Sequence, residues 1–146
     1  MKRYEGNPIL QPRAENPWES KLVFNPAAVH LGGEVHLVYR AVGDKDISVL
    51  GYARSRDGFR INLRLKRPVY VPRETFESNP EAPFSRVKYL SGWGCGGCED
   101  PRLTRLDGKL YMTYTAFNGR ELPRVAITWI DEEDFLNQNW EWATPV

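Results

Sequence analysis

Residues Asp100–Ala116 read DPRLTRLDGKLYMTYTA, and residues Asn25–Ala41 read NPAAVHLGGEVHLVYRA. At an offset of 75 positions (100 − 25) the two stretches align without a gap and share a proline, a leucine, a glycine, a tyrosine and an alanine. Each has a strand pattern, a two-residue turn (Gly32-Gly33 or Asp107-Gly108) and a second strand pattern. Both turns are well suited to a β-hairpin. The repeat therefore predicts two antiparallel units of the same architecture.

Each predicted hairpin is followed by a third strand pattern, Val49–Ser55 in the first unit and Arg124–Ile130 in the second. In the first unit Phe59–Leu65 can form a fourth, outer strand. An antiparallel repeat longer than a hairpin is typical of a β-propeller blade or a similar all-β array. We therefore predict an all-β chain with a β-propeller architecture.

The predicted organisation is a single, partial propeller domain over residues 1–146, with repeat units at about 24–65 and 99–146 and an irregular loop at 66–98. Propellers protect their strand edges by closing into a ring, and two units with a piece of a third cannot close one. We therefore expect this chain to associate with another copy of itself, as a homo-oligomer, or with the remaining blades of its propeller.

The loop at 66–98 contains several prolines that interrupt any long element. Its charged residues are expected to keep it solvated: Glu74, Glu77, Glu81 and Arg86. A long loop directly before a candidate catalytic residue is often a wall or lid of the site. Within it, Trp93 could be a stacking platform for a sugar, or it could only anchor the loop.

The repeat places Asn25 and Asp100 at equivalent positions, at the head of the first strand of each unit. In a propeller that end of the inner strands borders the central channel, so two polar side chains from different blades could face one cavity. Asp100 is followed by Pro101, which restricts the backbone before it, and a carboxylate held in this way is well placed for acid–base chemistry. A strand boundary with a surface salt bridge explains the same residues equally well.

Three charged residues near this position have predicted orientations. Alternation along Glu34–Ala41 puts Arg40 on the face opposite the more apolar one, where it could reach a site or could be an exposed strand arginine. Glu99 is adjacent to Asp100 and should point to the other side of the strand. Arg102 shares the parity of Asp100 and could hold its charge state or a substrate hydroxyl.

The two cysteines of the chain, Cys95 and Cys98, form a C-x-x-C pattern. Such a pair could be redox-active or half of a zinc site. The sequence has no second cysteine pair, and His30 and His36 belong to strand patterns of the other unit. We interpret the cysteines as two thiols in a glycine turn beside the candidate site, and we predict no metal.

The charge balance gives no electrostatic reason to expect a nucleic-acid or membrane partner, because 20 basic and 19 acidic residues leave a net charge of +1. No apolar run approaches the length of a membrane span, and Met1–Glu5 lacks the apolar region of a signal peptide. The sequence therefore predicts a cytoplasmic protein. The 5 Trp, 7 Tyr and 6 Phe suit sugar-stacking surfaces, and they also suit an ordinary β core.

Five motifs along the chain carry a resemblance to a known family. They are Phe24-Asn25-Pro26, Tyr39-Arg40-Ala41, Ser55-Arg56-Asp57-Gly58-Phe59, Gly97-Cys98-Glu99-Asp100-Pro101-Arg102 and Tyr111-Met112-Thr113-Tyr114-Thr115-Ala116. The fourth is the most specific. On these residues the chain resembles glycoside hydrolase family 130, which comprises mannoside phosphorylases and related β-mannosidases.

The resemblance implies a five-bladed propeller, of which this chain would form about two blades and part of a third. It implies that Asp100 is the general acid, that Asn25 and Arg40 hold the mannosyl unit, and that the partner is a mannose-containing oligosaccharide. Members of the family are much longer than this chain, and Arg120 or Arg124 could be the first of their phosphate-binding basic residues. The resemblance implies no metal or organic cofactor, with inorganic phosphate as a possible co-substrate.

The predicted function is cleavage of a β-mannoside with inversion, by phosphorolysis or by hydrolysis. The alternative is a non-catalytic carbohydrate-binding or scaffolding half-propeller. The end of the sequence at Val146 favours the alternative, and the presence of Asp100 in its motif favours the enzyme.

Overall fold

The computed structural model describes residues 3–78 and 95–146. Within these ranges it contains seven β-strands and one short helix, so the predicted all-β class is confirmed. They are β1 (Leu22–Leu31), β2 (Glu34–Val42), β3 (Ser48–Ser55), β4 (Ile61–Arg64), β5 (Gly97–Leu106), β6 (Lys109–Phe117), β7 (Arg124–Asp131) and α1 (Glu132–Leu136). Trp93, Glu81 and Arg86 lie outside the described residues.

The strands form two antiparallel units. In the first unit the strand order is β1-β2-β3-β4, and in the second it is β5-β6-β7. The chain end adds a further extended segment beside β7, since Ala143 N donates to Trp129 O at 2.8 Å and Val146 N donates to Ile127 O at 3.0 Å. The hairpin turns lie at Gly32-Gly33 and Asp107-Gly108, as the repeat predicts.

The first strand of each unit is interrupted by a β-bulge at the same point of the repeat. Pairing shifts between Phe24 and Ala27 in β1, and between Glu99 and Arg102 in β5. The bulges contain Asn25 with φ 47° and Asp100 with φ 50°. Both residues therefore lie inside a strand in the left-handed region, whereas the sequence predicted them at the head of a strand. Asn and Asp are the non-glycine residues that adopt this conformation most readily.

The two units share one hydrophobic core. The first unit contributes Val38, Leu50 and Tyr52, and the second contributes Leu110, Met112, Tyr114 and the helix residue Phe135. This arrangement buries one face of each unit against the other. Within the described residues, no helix has the length and apolar character needed to cross a membrane.

The opposite face of the first unit carries a second cluster, formed by Leu37, Tyr39, Ala41 and Ala53. The N-terminal segment covers it through Ile9, Leu10 and Trp18. This segment is held by Glu19, which is fully buried and accepts hydrogen bonds from Asn16 Nδ2 at 2.6 Å, Tyr39 Oη at 2.8 Å and Arg64 Nη2 at 2.5 Å. The buried carboxylate and its three donors thus hold the N-terminal segment against β2 and β4.

The opposite face of the second unit has apolar residues open to solvent. Val125 is 76% exposed, Ile127 is 38% exposed and Leu106, at the end of β5, is 55% exposed. Val125 and Ile127 pair across the ladder with Thr115 and Thr113, so they share that face of the sheet. The two units therefore differ in that the outer face of the first is covered and the outer face of the second is open.

The strands of the two units meet where β3 begins and β5 begins. The parallel pairing of β3 with β5 consists of Ser48 opposite Gly97, and Ser48 N donates to Gly96 O at 2.8 Å. Gly97 has φ 109°, and a Cβ there would lie 2.2 Å from Ser48 O. Glycine is required at this position both by the dihedral angle and by the close approach of β3.

Gly97→Ala should therefore destabilise the chain far more than Gly33→Ala does. Gly33 also has a positive φ of 80°, but a Cβ there meets nothing within 4 Å. We expect Gly33→Ala to lower the free energy of unfolding by about 1–2 kcal/mol, the strain of a non-glycine residue at positive φ. Gly97→Ala should add the clash with Ser48 to this loss. Urea unfolding of both variants compares the two free energies of unfolding. Equal losses would show that the contact at Ser48 does not constrain the junction.

Candidate active site

Asn25 and Asp100, the equivalent residues of the repeat, are in direct contact. Asn25 Nδ2 donates to Asp100 Oδ1 at 2.8 Å. The Asp100 side chain is 37% exposed, and Asn25 is exposed. The contact crosses from β1 to β5, so the two bulges bring one polar residue from each unit to the same place.

Arg40 is buried beside this pair. The residue is 1% exposed, so the alternative of an exposed strand arginine is wrong. Its Nη2 lies 2.8 Å from Glu99 Oε1, its Nη1 lies 3.3 Å from Asp100 Oδ1, and its Nε donates to Ser48 Oγ at 3.0 Å. The guanidinium also lies over the Phe24 ring, 4.7 Å from the centroid. It therefore connects β2 and β3 of the first unit to β5 of the second.

The predicted orientation of Glu99 is wrong. The sequence placed it on the side of the strand opposite Asp100, yet both carboxylates contact the same guanidinium. The cause is the bulge, because pairing shifts between Glu99 and Arg102 and the alternation of side chains breaks there. The side chain of Glu99 is 2% exposed and that of Asp100 is 37% exposed. Two adjacent carboxylates thus share one cation in very different environments.

Arg102 is exposed on β5. Its Nη1 donates to Pro101 O at 2.8 Å and to Asp100 O at 3.3 Å. Among the described residues, its guanidinium bonds these backbone carbonyls and not the Asp100 carboxylate. A role for Arg102 in substrate binding stays a prediction.

Sequence reasoning missed Glu77, which was expected to be solvated and is fully buried. Its carboxylate accepts hydrogen bonds from the hydroxyls of Tyr70 and Tyr114 and from the backbone N–H groups of Arg73 and Glu74. Burial raises the pKa of both tyrosines above the ordinary value, which keeps their hydroxyls protonated as donors.

Glu77 also holds the first residues of β5 in place. Its backbone carbonyl accepts a hydrogen bond from Gly97 N at 3.0 Å, and its carboxylate lies 3.5 Å from Cys98 Sγ. A glutamate inside a proline-rich loop gives no local sequence signal of burial, because its partners Tyr114 and Cys98 are distant along the chain. The loop before β5 therefore acts as a support for the strand that carries Glu99 and Asp100.

Both cysteines are in the reduced form, with Cys95 half-buried and Cys98 buried. Burial raises the pKa of the Cys98 thiol well above its usual value, and the nearby Glu77 raises it further. The thiolate that redox exchange or metal binding requires is thus disfavoured at Cys98. Within residues 3–78 and 95–146, no group of three or more His, Cys, Asp or Glu side chains is placed to hold a metal ion.

The two candidate phosphate-binding arginines lie between β6 and β7. The backbone of Arg120 donates to Asn118 Oδ1 at 3.1 Å in the loop after β6. Arg124 begins β7, where its Nη2 contacts Glu121 Oε2 at 2.5 Å and its guanidinium lies 5.5 Å from the centroid of the Phe76 ring. A role for either residue in phosphate binding stays a prediction.

Comparison with known proteins identifies relatives of one kind. A family model described as beta-1,4-mannooligosaccharide phosphorylase matches residues 1–136. A 1,2-beta-oligomannan phosphorylase from Thermoanaerobacter sp. (strain X514) is 40% identical over 127 residues, which covers 82% of this chain and 37% of that protein. A beta-1,2-mannobiose phosphorylase from the same organism is 34% identical over 156 residues, which covers 97% of this chain and 44% of that protein.

A solved structure has a similar fold. The crystal structure of a glycosyl hydrolase from Bacteroides ovatus matches with a TM-score of 0.74 and 30% identity, covering 97% of this chain and 39% of that one. This chain therefore spans less than half the length of the curated relatives and of this structural neighbour.

Arg40→Ala should unfold the chain more easily as well as weaken the site. Removing the guanidinium leaves the Glu99 carboxylate buried without its cation, which costs about 3–5 kcal/mol. Arg105→Ala is the matched control, because Arg105 also pairs with a glutamate, Glu132, but its side chain is 58% exposed. We expect the free energy of unfolding of the control variant to fall by about 1 kcal/mol or less. Urea unfolding measures both, and a similar loss in the two variants would contradict the importance of the buried pair.

Proposed function

Because the chain belongs to glycoside hydrolase family 130, we propose that it acts in the cleavage of β-mannosidic bonds with inversion, with Asp100 as the general acid. The observation that carries the proposal is the environment of the Asp100 carboxyl group. It is partly open to solvent and is bonded on one oxygen by donors from the other unit. A general acid needs access to the substrate and a fixed direction for its proton.

The contacts of Asp100 distinguish its two carboxyl oxygens, and they indicate which one would carry the proton in a neutral carboxyl group. Asn25 Nδ2 and Arg40 Nη1 both approach Oδ1, at 2.8 Å and 3.3 Å. Among the described residues, Oδ2 accepts no hydrogen bond. In a neutral carboxyl group one oxygen carries the proton and the other only accepts. The two donors therefore leave Oδ2 as the oxygen that carries and delivers the proton.

The reaction that follows from inversion is a single displacement. Asp100 donates a proton toward the glycosidic oxygen, directly or through a sugar hydroxyl as in the phosphorylases that the chain resembles. Phosphate or water attacks the opposite face of the anomeric carbon. Asn25 is exposed beside Asp100 and can bind the mannosyl unit. Arg40 is nearly inaccessible, and we propose that it supports binding chiefly by orienting Asp100, while the exposed Arg102 can reach a sugar hydroxyl.

We propose phosphorolysis, with inorganic phosphate as co-substrate, ahead of hydrolysis. Two curated relatives, at 40% and 34% identity, are named as phosphorylases of β-1,2-linked mannosides. The Bacteroides ovatus structure, at 30% identity, is named as a glycosyl hydrolase. A β-1,2-mannobiose is therefore the first substrate to test. We also propose a cytoplasmic location, to which the reduced cysteines Cys95 and Cys98 are suited.

The two antiparallel units are proposed to be neighbouring blades of a β-propeller. Support comes from the shared core between them and from the bulge that recurs at Asn25 and Asp100. In this arrangement the open face of the second unit, which includes Val125 and Ile127, would be covered by a further blade or by another copy of the chain.

Asp100→Asn should keep the fold and reduce mannoside cleavage by about 10²–10⁴-fold, the usual contribution of general acid catalysis. Asparagine tolerates the left-handed backbone at this position. Asp107→Asn is the control, because Asp107 also has a positive φ, of 48°, but lies in the β5–β6 turn. Initial rates with β-1,2-mannobiose test both variants, and activity of Asp100→Asn within a few-fold of the parent would refute the assignment.

The same assay, run with and without inorganic phosphate, separates the two reactions. Phosphorolysis releases mannose 1-phosphate and stops when phosphate is removed, whereas hydrolysis releases only free sugar and continues. Cleavage that is independent of phosphate would contradict the proposed phosphorolysis and leave the role of Asp100 unchanged.

The chain should form an assembly through the open face of the second unit. Replacing Val125 and Ile127 together by glutamate puts two charges on that face and should shift the chain to smaller species in sedimentation velocity at micromolar concentration. Replacing the exposed Leu136 of α1 by glutamate is the control, and it should leave the distribution unchanged. A monodisperse, cooperatively folded monomer for the parent chain would refute this part of the proposal.

A further inference from the structure

The cluster at the candidate site has two carboxylates and one cation. Arg40 Nη2 lies 2.8 Å from Glu99 Oε1, and Arg40 Nη1 lies 3.3 Å from Asp100 Oδ1. We propose that Glu99 is the permanent counter-ion of Arg40, and that by neutralising it Glu99 allows Asp100 to keep its proton. Glu99 is then a positioning residue for the reaction in which Asp100 is the acid, and this inference rests on the proposed function.

A carboxyl group next to an uncompensated guanidinium is largely ionised at neutral pH, so it has no proton to donate as a general acid. The positive charge stabilises the ionised carboxylate and removes the proton at lower pH. A carboxylate that shares the guanidinium reduces this effect, because Asp100 then faces an ion pair instead of a full charge. The proton that the reaction needs at Asp100 therefore depends on which of the two carboxylates neutralises Arg40.

The geometry favours Glu99 as the ionised partner. Glu99 makes the shorter contact, and both it and the guanidinium are 2% exposed, so neither has water to solvate its charge. A buried guanidinium requires a buried anion. Asp100 makes the longer contact and has a side chain 37% exposed, so its proton can exchange with solvent and substrate.

The reverse assignment would leave a protonated Glu99 against the buried guanidinium and an ionised Asp100 that cannot donate. The polar groups that contact Asp100 from the described residues are Asn25 of β1, Arg40 of β2 and Arg102 of β5. Asn25 is neutral, and Arg102 bonds the backbone carbonyls. Glu99 is thus the anion in direct contact with the cation that Asp100 faces.

Two further groups of the described residues lie beside Glu99, and neither carries a charge that competes for this role. Ser48 Oγ lies 3.5 Å from Glu99 Oε1 and carries no charge. Cys98 is the preceding residue, and burial raises the pKa of its thiol, which keeps it neutral. Among the described residues, the Arg40–Glu99 pair is therefore what sets the charge next to Asp100.

Glu99→Gln removes the charge and keeps the size of the side chain. Among the described carboxylates in contact with Arg40, Asp100 is then the one that remains charged, which favours the ionised acid. The alkaline limb of the pH profile of kcat/KM should move to lower pH by about one unit or more, within the range that an opposite charge produces. Loss of a merely structural contact would lower kcat/KM without moving that limb.

Two control variants separate charge from structure. Glu99→Asp keeps the negative charge and should leave the limb close to its position in the parent. Glu34→Gln removes one negative charge at the far end of β2, where Glu34 pairs with Arg54 at 3.0 Å, and should not move the limb. A limb that moves equally in Glu34→Gln and Glu99→Gln would show that only net charge matters, and it would overturn the proposal.

Carbon NMR of the side-chain carboxyl groups tests the proposal without catalysis and without Glu99→Gln. With carbon-13 in Asp and Glu carboxyls, Asp100→Asn identifies the Asp100 signal and Glu99→Asp identifies the Glu99 signal. In the parent protein Glu99 should lose its proton at a lower pH than Asp100. The reverse order overturns the proposal, even if Glu99→Gln does not fold.

The outcomes distinguish this inference from the proposed function. If Glu99 ionises first and the parent cleaves no mannoside, the charge assignment stands and the proposed function fails. If the parent cleaves mannosides through Asp100 but Glu99→Gln leaves the alkaline limb unmoved, the function stands and the role of Glu99 is refuted.

Discussion

The buried ion pair between Arg40 and Glu99 is the interaction on which the candidate site depends. In the described part of the chain, the strands of the two units pair directly at Ser48 opposite Gly97, with neighbouring backbone hydrogen bonds from Ser48 N to Gly96 O and from Cys95 N to Asp46 O. The relative position of Asn25 and Asp100 is therefore set by side chains that cross from β1 and β2 to β5, and Arg40 makes two of those contacts. Because the guanidinium is also held by Ser48 Oγ, it fixes the end of β2 and the start of β3 against β5. Asp100, the proposed acid, is placed by side-chain contacts between the units more than by the pairing of the strands.

The second constraint is the bulge in β1 and in β5. A regular strand would send Glu99 and Asp100 to opposite faces, and a single cation could not reach both. The left-handed backbone at Asp100 belongs to a bulge that breaks the alternation of side chains along β5. Both carboxylates therefore reach Arg40. The same deformation at Asn25 brings its amide to Asp100. The bulge that recurs in both units thus supplies both residues of this polar contact.

Much of this could be predicted from sequence, because the signals are local. The hairpin turns follow from Gly32-Gly33 and Asp107-Gly108, and the meeting of Asn25 with Asp100 follows from their equivalence in the repeat. What failed depends on long-range partners. The sequence predicts a solvated Glu77 and leaves an exposed Arg40 open as an alternative to a site residue, because charge normally indicates exposure. Their partners lie tens of residues away, and no periodicity within β2 or the loop reveals them. Alternation failed at Glu99 for a different reason, since it assumes a regular strand.

The buried pair contributes little to net stability, because desolvating two charges costs nearly as much as their attraction returns. Its proposed role is to neutralise the cation that the neighbouring Asp100 carboxyl group faces. Glu99 and Asp100 have similar chemistry, yet one is enclosed with the guanidinium and the other opens to solvent. Environments that differ in this way drive the proton affinities of two carboxyl groups apart, which is how one site obtains an ion and an acid from the same kind of group. The bulge creates that difference between adjacent residues, so the backbone conformation at Asp100 is part of its chemistry.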